Sequence, residues 1–291
     1  MMPGAKKAMQ TPEQAEEAFQ AAVATARKAE LVIMALGEKD DMAGEFASRA
    51  SLDLPGRQEE LLKAVVALGK PVALVLLNGR PLSIGWAAEN VPAILEAWEP
   101  GSEGGNAIAD ILFGDVNPGG KLPVTFPRKG SHEPFYYARN LTHSPEDSPK
   151  YRSRYWDGPT TPLYPFGFGL SYTTFSITNL KVSAPQVKVG KTVTLTADVT
   201  NTGSVAGDEV VQLYIHQKAG SDSRPLRELK GFERVTIKPG ETKTVTFTLG
   251  PAELSHWSTN AGKRIQDAEA FDIWVGSDST VTLHADLKVV S

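Results

Sequence analysis

Three short apolar runs, at residues 31–36, 71–77 and 93–98, are separated by stretches with helical spacing. Continuous apolar strands suit a parallel sheet covered on both faces, and parallel neighbours need a long crossover, usually a helix. The spacing therefore predicts βαβ units, with helices over about residues 12–29, 57–68, 84–89 and 104–113. The run 31–36 reads as a strand buried on both faces. In open parallel sheets ligands bind beyond the C-terminal strand ends. Glu38, Asn78, Trp98 and Glu99 stand at such ends.

The texture changes near residue 165. Alternating stretches follow at 192–199, 210–215, 243–249, 270–275 and 281–289, divided by turn residues at 201–203, 238–241 and 276–278. Roughly seven short strands in this spacing predict an immunoglobulin-like or fibronectin-type sandwich. The expected fold is thus an α/β sandwich domain with a mostly parallel sheet, followed by an all-β fibronectin type III-like sandwich. The expected boundaries are residues 1–130 for the first domain, 131–171 for a linker and 172–291 for the second. Residues 115–165 show little periodicity and much Pro, Gly and aromatic character. So long an irregular stretch is functional or packed on something.

Charge and composition exclude several classes. The net charge of −4 leaves no basic stripe for a phosphate backbone, so no nucleic-acid partner is expected. No apolar run reaches the roughly 18–20 residues of a membrane helix, so no membrane partner is expected either. The first 30 residues lack the apolar segment and cleavage site of a secretory signal. Cysteine is absent, which rules out disulfides and thiolate-bound metal. His132, His143, His216, His256 and His284 are scattered without ligand spacing, and no metal is expected.

Two segments carry candidate chemistry. Residues 37–49 hold Glu38, Asp40, Asp41 and Glu45 in a polar loop after an apolar run. Such a loop is either a solvated surface or the carrier of a general acid. A general acid works near neutral pH when burial or a neighbouring carboxylate raises its pKa. Residues 98–105, WEPGSEGG, hold Trp98, which can stack on a sugar or fill a core. They also hold Glu103, which can contact a ligand or cap the following helix. Arg152, Arg154, Tyr155 and Trp156 read as a site mouth or as interdomain packing.

The segments Asn78-Gly79-Arg80-Pro81, residues 98–115 (WEPGSEGGNAIADILFGD), 117–123 (NPGGKLP), 163–175 (LYPFGFGLSYTTF) and Leu229-Lys230-Gly231-Phe232 resemble glycoside hydrolase family 3. The resemblance runs in order from about residue 20 to the end, and is strongest to β-glucosidases of the periplasmic bacterial type. It implies a (β/α)8-type barrel bearing an aspartate nucleophile, an α/β sandwich and a fibronectin-type domain. It also implies retaining hydrolysis of terminal non-reducing β-D-glucosyl residues, with two carboxyl groups about 5–5.5 Å apart. In several members a glutamate from a loop of the second domain is the acid/base; others carry that group on the barrel. Gly44-Glu45, Arg49 and the stretch 52–55 match the loop pattern, which favours Glu45 as catalytic, with Glu38 second. The resemblance implies substrate contacts for Arg49, Trp98, Glu103, Arg154 and Tyr155.

Two carboxylates suffice for this reaction, so no cofactor is implied. A barrel needs roughly 250 residues, and only about 30 precede the first apolar run. The first strand of the family's second domain is also unaccounted for, so the α/β sheet is expected to be incomplete at its N-terminus. The expected partners are a β-glucoside or oligosaccharide and a missing N-terminal barrel, in cis or in trans, with homodimerisation left open. The resemblance implies a periplasmic or secreted location. β-Xylosidase and N-acetylglucosaminidase activities also occur in the family. Two competing readings are a non-catalytic carbohydrate-binding or scaffold remnant, and a sandwich that works alone in adhesion or assembly.

Overall fold

The computed structural model describes residues 11–132, 135–140 and 155–291. These form two compact units, one of residues up to Ile108 with Arg128–Ser131, the other of Ala109–Pro127 with His132–Ser291.

The first unit opens with helix α1, Pro12–Lys28, whose start is closed by a capping box. Thr11 Oγ1 accepts from the Gln14 amide, and Gln14 Oε1 accepts from the Thr11 amide. Strands β1 (Val32–Gly37), β2 (Val72–Leu77) and β3 (Ala93–Glu96) pair in parallel in the order β1-β2-β3. Helices α2 (Gln58–Val66) and α3 (Gly85–Asn90) form the crossovers. The central strand carries the buried core: Val72, Leu74, Val75 and Leu76, joined by Leu62 and Val65 from α2 and Ala87 from α3.

β1 departs from the sequence expectation. Its Val32, Met34, Leu36 face is covered, but Leu31 is 54% and Ile33 44% exposed. The strand is therefore not buried on both faces. The reason is its place at the sheet edge: a central strand meets neighbours on either side, and an edge strand meets them on one.

Helix α4, Gly104–Phe113, leads from the first unit into the second. Two antiparallel-rich sheets follow. The smaller holds β4 (Phe175–Val182), β6 (Val193–Asn201) and β9 (Thr242–Leu249), in the order β4-β6-β9. The larger has the order β5-β13-β12-β7-β8. Its members are β5 (Gln186–Lys188), β7 (Gly207–Gln217), β8 (Glu228–Ile237), β12 (Ala270–Gly276) and β13 (His284–Val290). A one-turn helix, α5 (Pro251–Leu254), and a hairpin of β10 (His256–Ser258) and β11 (Lys263–Ile265) complete it. Alternation sets the core: Val193, Leu195, Ala197 and Val199 of β6 point inward against Leu213, Ile215, Ile273 and Leu287. β8 contains the Leu229–Phe232 segment, in which Gly231 leaves room for the Phe247 ring, 3.1 Å from where a Cβ would stand.

The irregular segment before the sandwich packs on it within this unit. Phe126 and Tyr164 form an antiparallel bridge, and Leu122 pairs with Gly167 and Phe168 through backbone bonds of 2.8 Å. Tyr137 stacks on Phe166 at 4.3 Å and meets Tyr214 edge-on. Gln212 of β7 donates to the carbonyls of Gly167 and Ser277. A further tie is electrostatic. Lys121, half-buried, lies 2.9 Å from buried Glu209 at the head of β7 and also donates to Gly169 O. Burial pushes the Glu209 carboxyl up, and the ammonium opposes it.

Removing one member of a buried pair strands the other charge. Lys121→Ala is therefore expected to cost about 3–5 kcal/mol near neutral pH, read by urea unfolding. The loss should shrink on acidification, because a protonated Glu209 is no longer an uncompensated buried charge.

Candidate functional site

Within the first unit, the C-terminal ends of β1, β2 and β3 converge on a set of polar side chains. β1 ends at Gly37, whose φ is +136° and where a Cβ would stand 1.9 Å from Leu77 O. Only glycine permits that approach. Gln58 of α2 locks the position, accepting from the Gly37 amide at 2.7 Å and donating to its carbonyl at 2.8 Å. The next amide, of Glu38, donates to Leu77 O.

This seating drives the Glu38 side chain inward, to 1% exposure. Its Oε1 accepts from Arg49 Nη1 at 2.7 Å and lies 3.0 Å from Arg80 Nε. Its Oε2 accepts from the Gly79 amide at 3.2 Å. The carboxylate is fully engaged in holding two arginines and a turn.

Glu45 sits in the same loop in the opposite environment. It is exposed and has no hydrogen-bond or ion-pair partner among the described residues. The backbone on both sides is fixed: Arg80 Nη2 donates to Met42 O at 2.5 Å and to Ala47 O at 3.0 Å. Arg49 Nη2 anchors the loop's exit through Asp53 O at 2.7 Å. Gly44 and Phe46, flanking Glu45, both take positive φ, and the Phe46 ring is 98% exposed. At Gly79 a Cβ would stand 2.9 Å from Ala43 Cβ and 3.0 Å from Glu99 Oε1, so the loop, the β2 turn and the β3 turn meet at a glycine.

β3 contributes Glu96 and the turn after it. Asn78, 2% exposed, donates through Nδ2 to Arg80 O at 2.9 Å and to Glu96 Oε1 at 3.2 Å. Its Oδ1 is buried without a partner. Glu96 Oε1 also accepts from the Trp98 amide at 3.0 Å. Trp98 holds φ +53°, a left-handed backbone uncommon for a bulky residue, and its carbonyl accepts from the Asn78 amide. Burial pushes the Glu96 carboxyl up to about 7, against the lowering effect of the Trp98 amide and the Asn78 side chain.

The sequence candidates thus separate. Glu38, Arg49 and Trp98 belong to this cluster, and Glu45 stands on the loop that it anchors. Glu103 lies exposed at the start of α4, where its carbonyl accepts from the Ala107 amide and its carboxylate accepts from the Asn106 side-chain amide. Tyr155 belongs to the second unit, where its ring stacks on His132 at 4.4 Å. Arg152, Arg154 and His143 lie outside the described residues. Arg80 and Glu96 were not singled out from the sequence for chemistry. A carboxylate inside an apolar run was the available signal for Glu96, since a strand buries such a group only with partners.

Asp272, His284 and Asp286 of the second unit bring ligand-type atoms within 4.8 Å of one another. Lys218 Nζ already lies 3.0 and 2.9 Å from the two carboxylates, so a cation occupies that charge.

Residues 2–172 match the family model described as glycosyl hydrolase family 3 C-terminal domain, and residues 209–279 match a fibronectin type III-like domain. The chain belongs to glycoside hydrolase family 3. It is 45% identical over 261 residues to a periplasmic β-glucosidase of Salmonella typhimurium, covering 89% of this chain and 34% of that protein. It is also 45% identical over 276 residues to a β-xylosidase of Formosa agariphila, covering 95% and 37%. Among solved structures, a β-glucosidase from Erythrobacter marinus superposes with a TM-score of 0.90 at 38% identity, covering all of this chain and 38% of that one. A β-glucosidase from Listeria innocua in complex with glucose gives 0.88 at 36% identity, covering 97% and 39%. The chain therefore spans about a third of the length of the relatives it matches.

The Arg80 fork reaches a carboxylate and two carbonyls at once, a geometry that a lysine ammonium does not reproduce. Arg80→Lys is expected to lower stability by about 1–3 kcal/mol in urea unfolding, because the Met42 and Ala47 carbonyls lose their donor. A second expectation concerns pH. A carboxyl with a raised folded-state pKa binds more protons folded than unfolded. Its contribution is present below about 4.5 and is lost as pH rises to about 7. Stability should fall by on the order of 2–3 kcal/mol across that window, and Glu96→Gln should remove this component.

Proposed function

We propose that this chain supplies the acid/base side of a retaining β-glucosidase, with Glu45 as the acid/base. The observation that carries the reading is the contrast within one loop. Glu38 is consumed by Arg49, Arg80 and the Gly79 amide, whereas Glu45 is presented outward between two carbonyls pinned by Arg80. Likeness to β-glucosidases over nearly the whole chain supports the reaction class.

In this reading Glu45 gives its proton to the glycosidic oxygen as the bond to the anomeric carbon breaks. A second carboxylate, an aspartate of the family's barrel, attacks that carbon from the opposite face and forms a glycosyl-enzyme intermediate. Glu45 then takes a proton from the water that releases the sugar, so configuration is retained. Glu38 positions the loop and does not exchange protons with substrate. Arg49 serves the same end, and Trp98 offers a ring to the sugar. Contacts from Glu103, Arg154 and Tyr155 to substrate belong to the same proposal. The barrel is supplied in cis or in trans. Likeness to the Salmonella protein supports a periplasmic or secreted location. The Formosa relative, at equal identity, makes a β-xyloside the second substrate to test.

The purified chain alone is expected not to turn over nitrophenyl β-glucoside or nitrophenyl β-xyloside. An assembly that adds the barrel should do so, and Glu45→Gln in it should lower kcat at least about 100-fold while the melting temperature holds. Unchanged turnover by that variant sinks the Glu45 assignment. Sugar binding without turnover by the full assembly favours the non-catalytic scaffold.

A further inference from the structure

The Glu96 carboxyl joins two strand-end turns of the first unit directly and reaches the third loop through Asn78 and Arg80. Glu96, the last residue of β3, accepts from the Trp98 amide in its own turn and from Asn78 Nδ2 in the β2 turn. Asn78 uses the same nitrogen to hold Arg80 O. The Arg80 guanidinium in turn holds Glu38 and the carbonyls of Met42 and Ala47, on either side of Glu45. The strained backbone of Trp98 is held at both its peptide groups, by Glu96 on the amide and by the Asn78 amide on the carbonyl.

We infer that Glu96 is a positioning residue that sets the β2 turn through Asn78 and, through Arg80, the seat of the Glu45 loop. Its consequence for turnover rests on the reading of Glu45 as the acid; the coupling between the turns does not.

The geometry contains two arrangements. With Glu96 ionised, Asn78 Nδ2 donates both to it and to Arg80 O. With Glu96 protonated, its O–H needs an acceptor, and the one at hand is Asn78 Oδ1, buried and unpartnered. Turning the amide brings Oδ1 to Glu96 and takes Nδ2 away from Arg80 O. Protonation therefore loosens the turn that carries Arg80, and ionisation tightens it. The charged groups of the surrounding elements are Glu38 after β1, Arg49 in the loop, Arg80 after β2 and Glu99 after β3. None is ion-paired with Glu96 among the described residues; desolvation is what resists its ionisation.

The test is nuclear magnetic resonance on the 291-residue chain. The Glu96 carboxyl carbon, the Asn78 side-chain amide, the Trp98 amide and the Arg80 Nε–H are followed from about pH 5 to about pH 9. They are expected to move together with one midpoint near 7, while the Leu195 amide of the sandwich stays flat. In Glu96→Gln the three reporters should lose that step. A flat Arg80 Nε–H in the wild type, or the same step in Glu96→Gln, overturns the inference. Glu96→Ala adds a kinetic arm in the assembly with the barrel. There kcat should fall about 10- to 100-fold with KM little changed, and Glu96→Gln should erase the matching step in the kcat–pH profile. If Glu45→Gln keeps full turnover, the acid assignment falls while the resonance coupling still stands. If the coupling is absent while Glu45→Gln is inactive, the positioning role falls alone.

Discussion

A carboxylate removed from water at the end of a strand needs its charge answered on the spot. In the first unit that carboxylate is Glu38, and the answer comes from Arg49, later in the same loop, and from Arg80 in the turn after β2. Because each arginine has donors left over, the same two side chains also take up the carbonyls of Met42, Ala47 and Asp53. The loop 39–50 has no regular hydrogen-bond ladder of its own, so this borrowed set of contacts substitutes for one. The exposed Glu45 therefore stands on a defined base and not on a free coil. Gly37 and Gly79 are where the backbone approaches closely enough for the arrangement to close.

The second unit solves a related problem differently. Its sandwich core is filled by alternation alone, but the head of β7 buries Glu209, and its cation comes from Lys121 in the irregular segment. The segment is thereby tied to the sheet by a charge, by the Gln212 bond to Gly167 O and by Tyr137 against Tyr214, while the Leu122 and Phe126 backbone bonds and the Tyr137–Phe166 stack hold it to itself. Low periodicity in that stretch of sequence reflects packing onto an existing surface, where the side chains follow the sheet and not a local repeat.

Membership in glycoside hydrolase family 3 and coverage of about a third of the matched relatives frame the chemistry. Two carboxylates in one loop thus differ by environment: Glu38 is paired with Arg49 and Arg80, and Glu45 is exposed. Glu96 adds a third environment, partly desolvated and facing amides in place of cations, and burial pushes its carboxyl up to about 7.

What was legible in the sequence was local or repetitive. The apolar runs and their helical spacers specified parallel βαβ units, the period-two stretches specified the sandwich, and long motifs such as residues 98–115 specified the family. Candidate carboxylates could be placed at strand ends because strand ends follow from periodicity. The motif pattern ranked Glu45 before Glu38, but their environments were not readable, since both are acids in the same polar loop and differ in whether arginines reach them. The exposed face of β1 was not readable either, because an apolar run looks the same at the edge of a sheet as at its centre. Arg80 and Glu96 took their roles from contacts across strands about 20 to 40 residues apart. Periodicity belongs to the chain, so the sequence by itself determined the elements and their class. Desolvation and charge pairing belong to the neighbours that folding assembles, so only the tertiary structure decided which acid is buried, which is free and which is poised between.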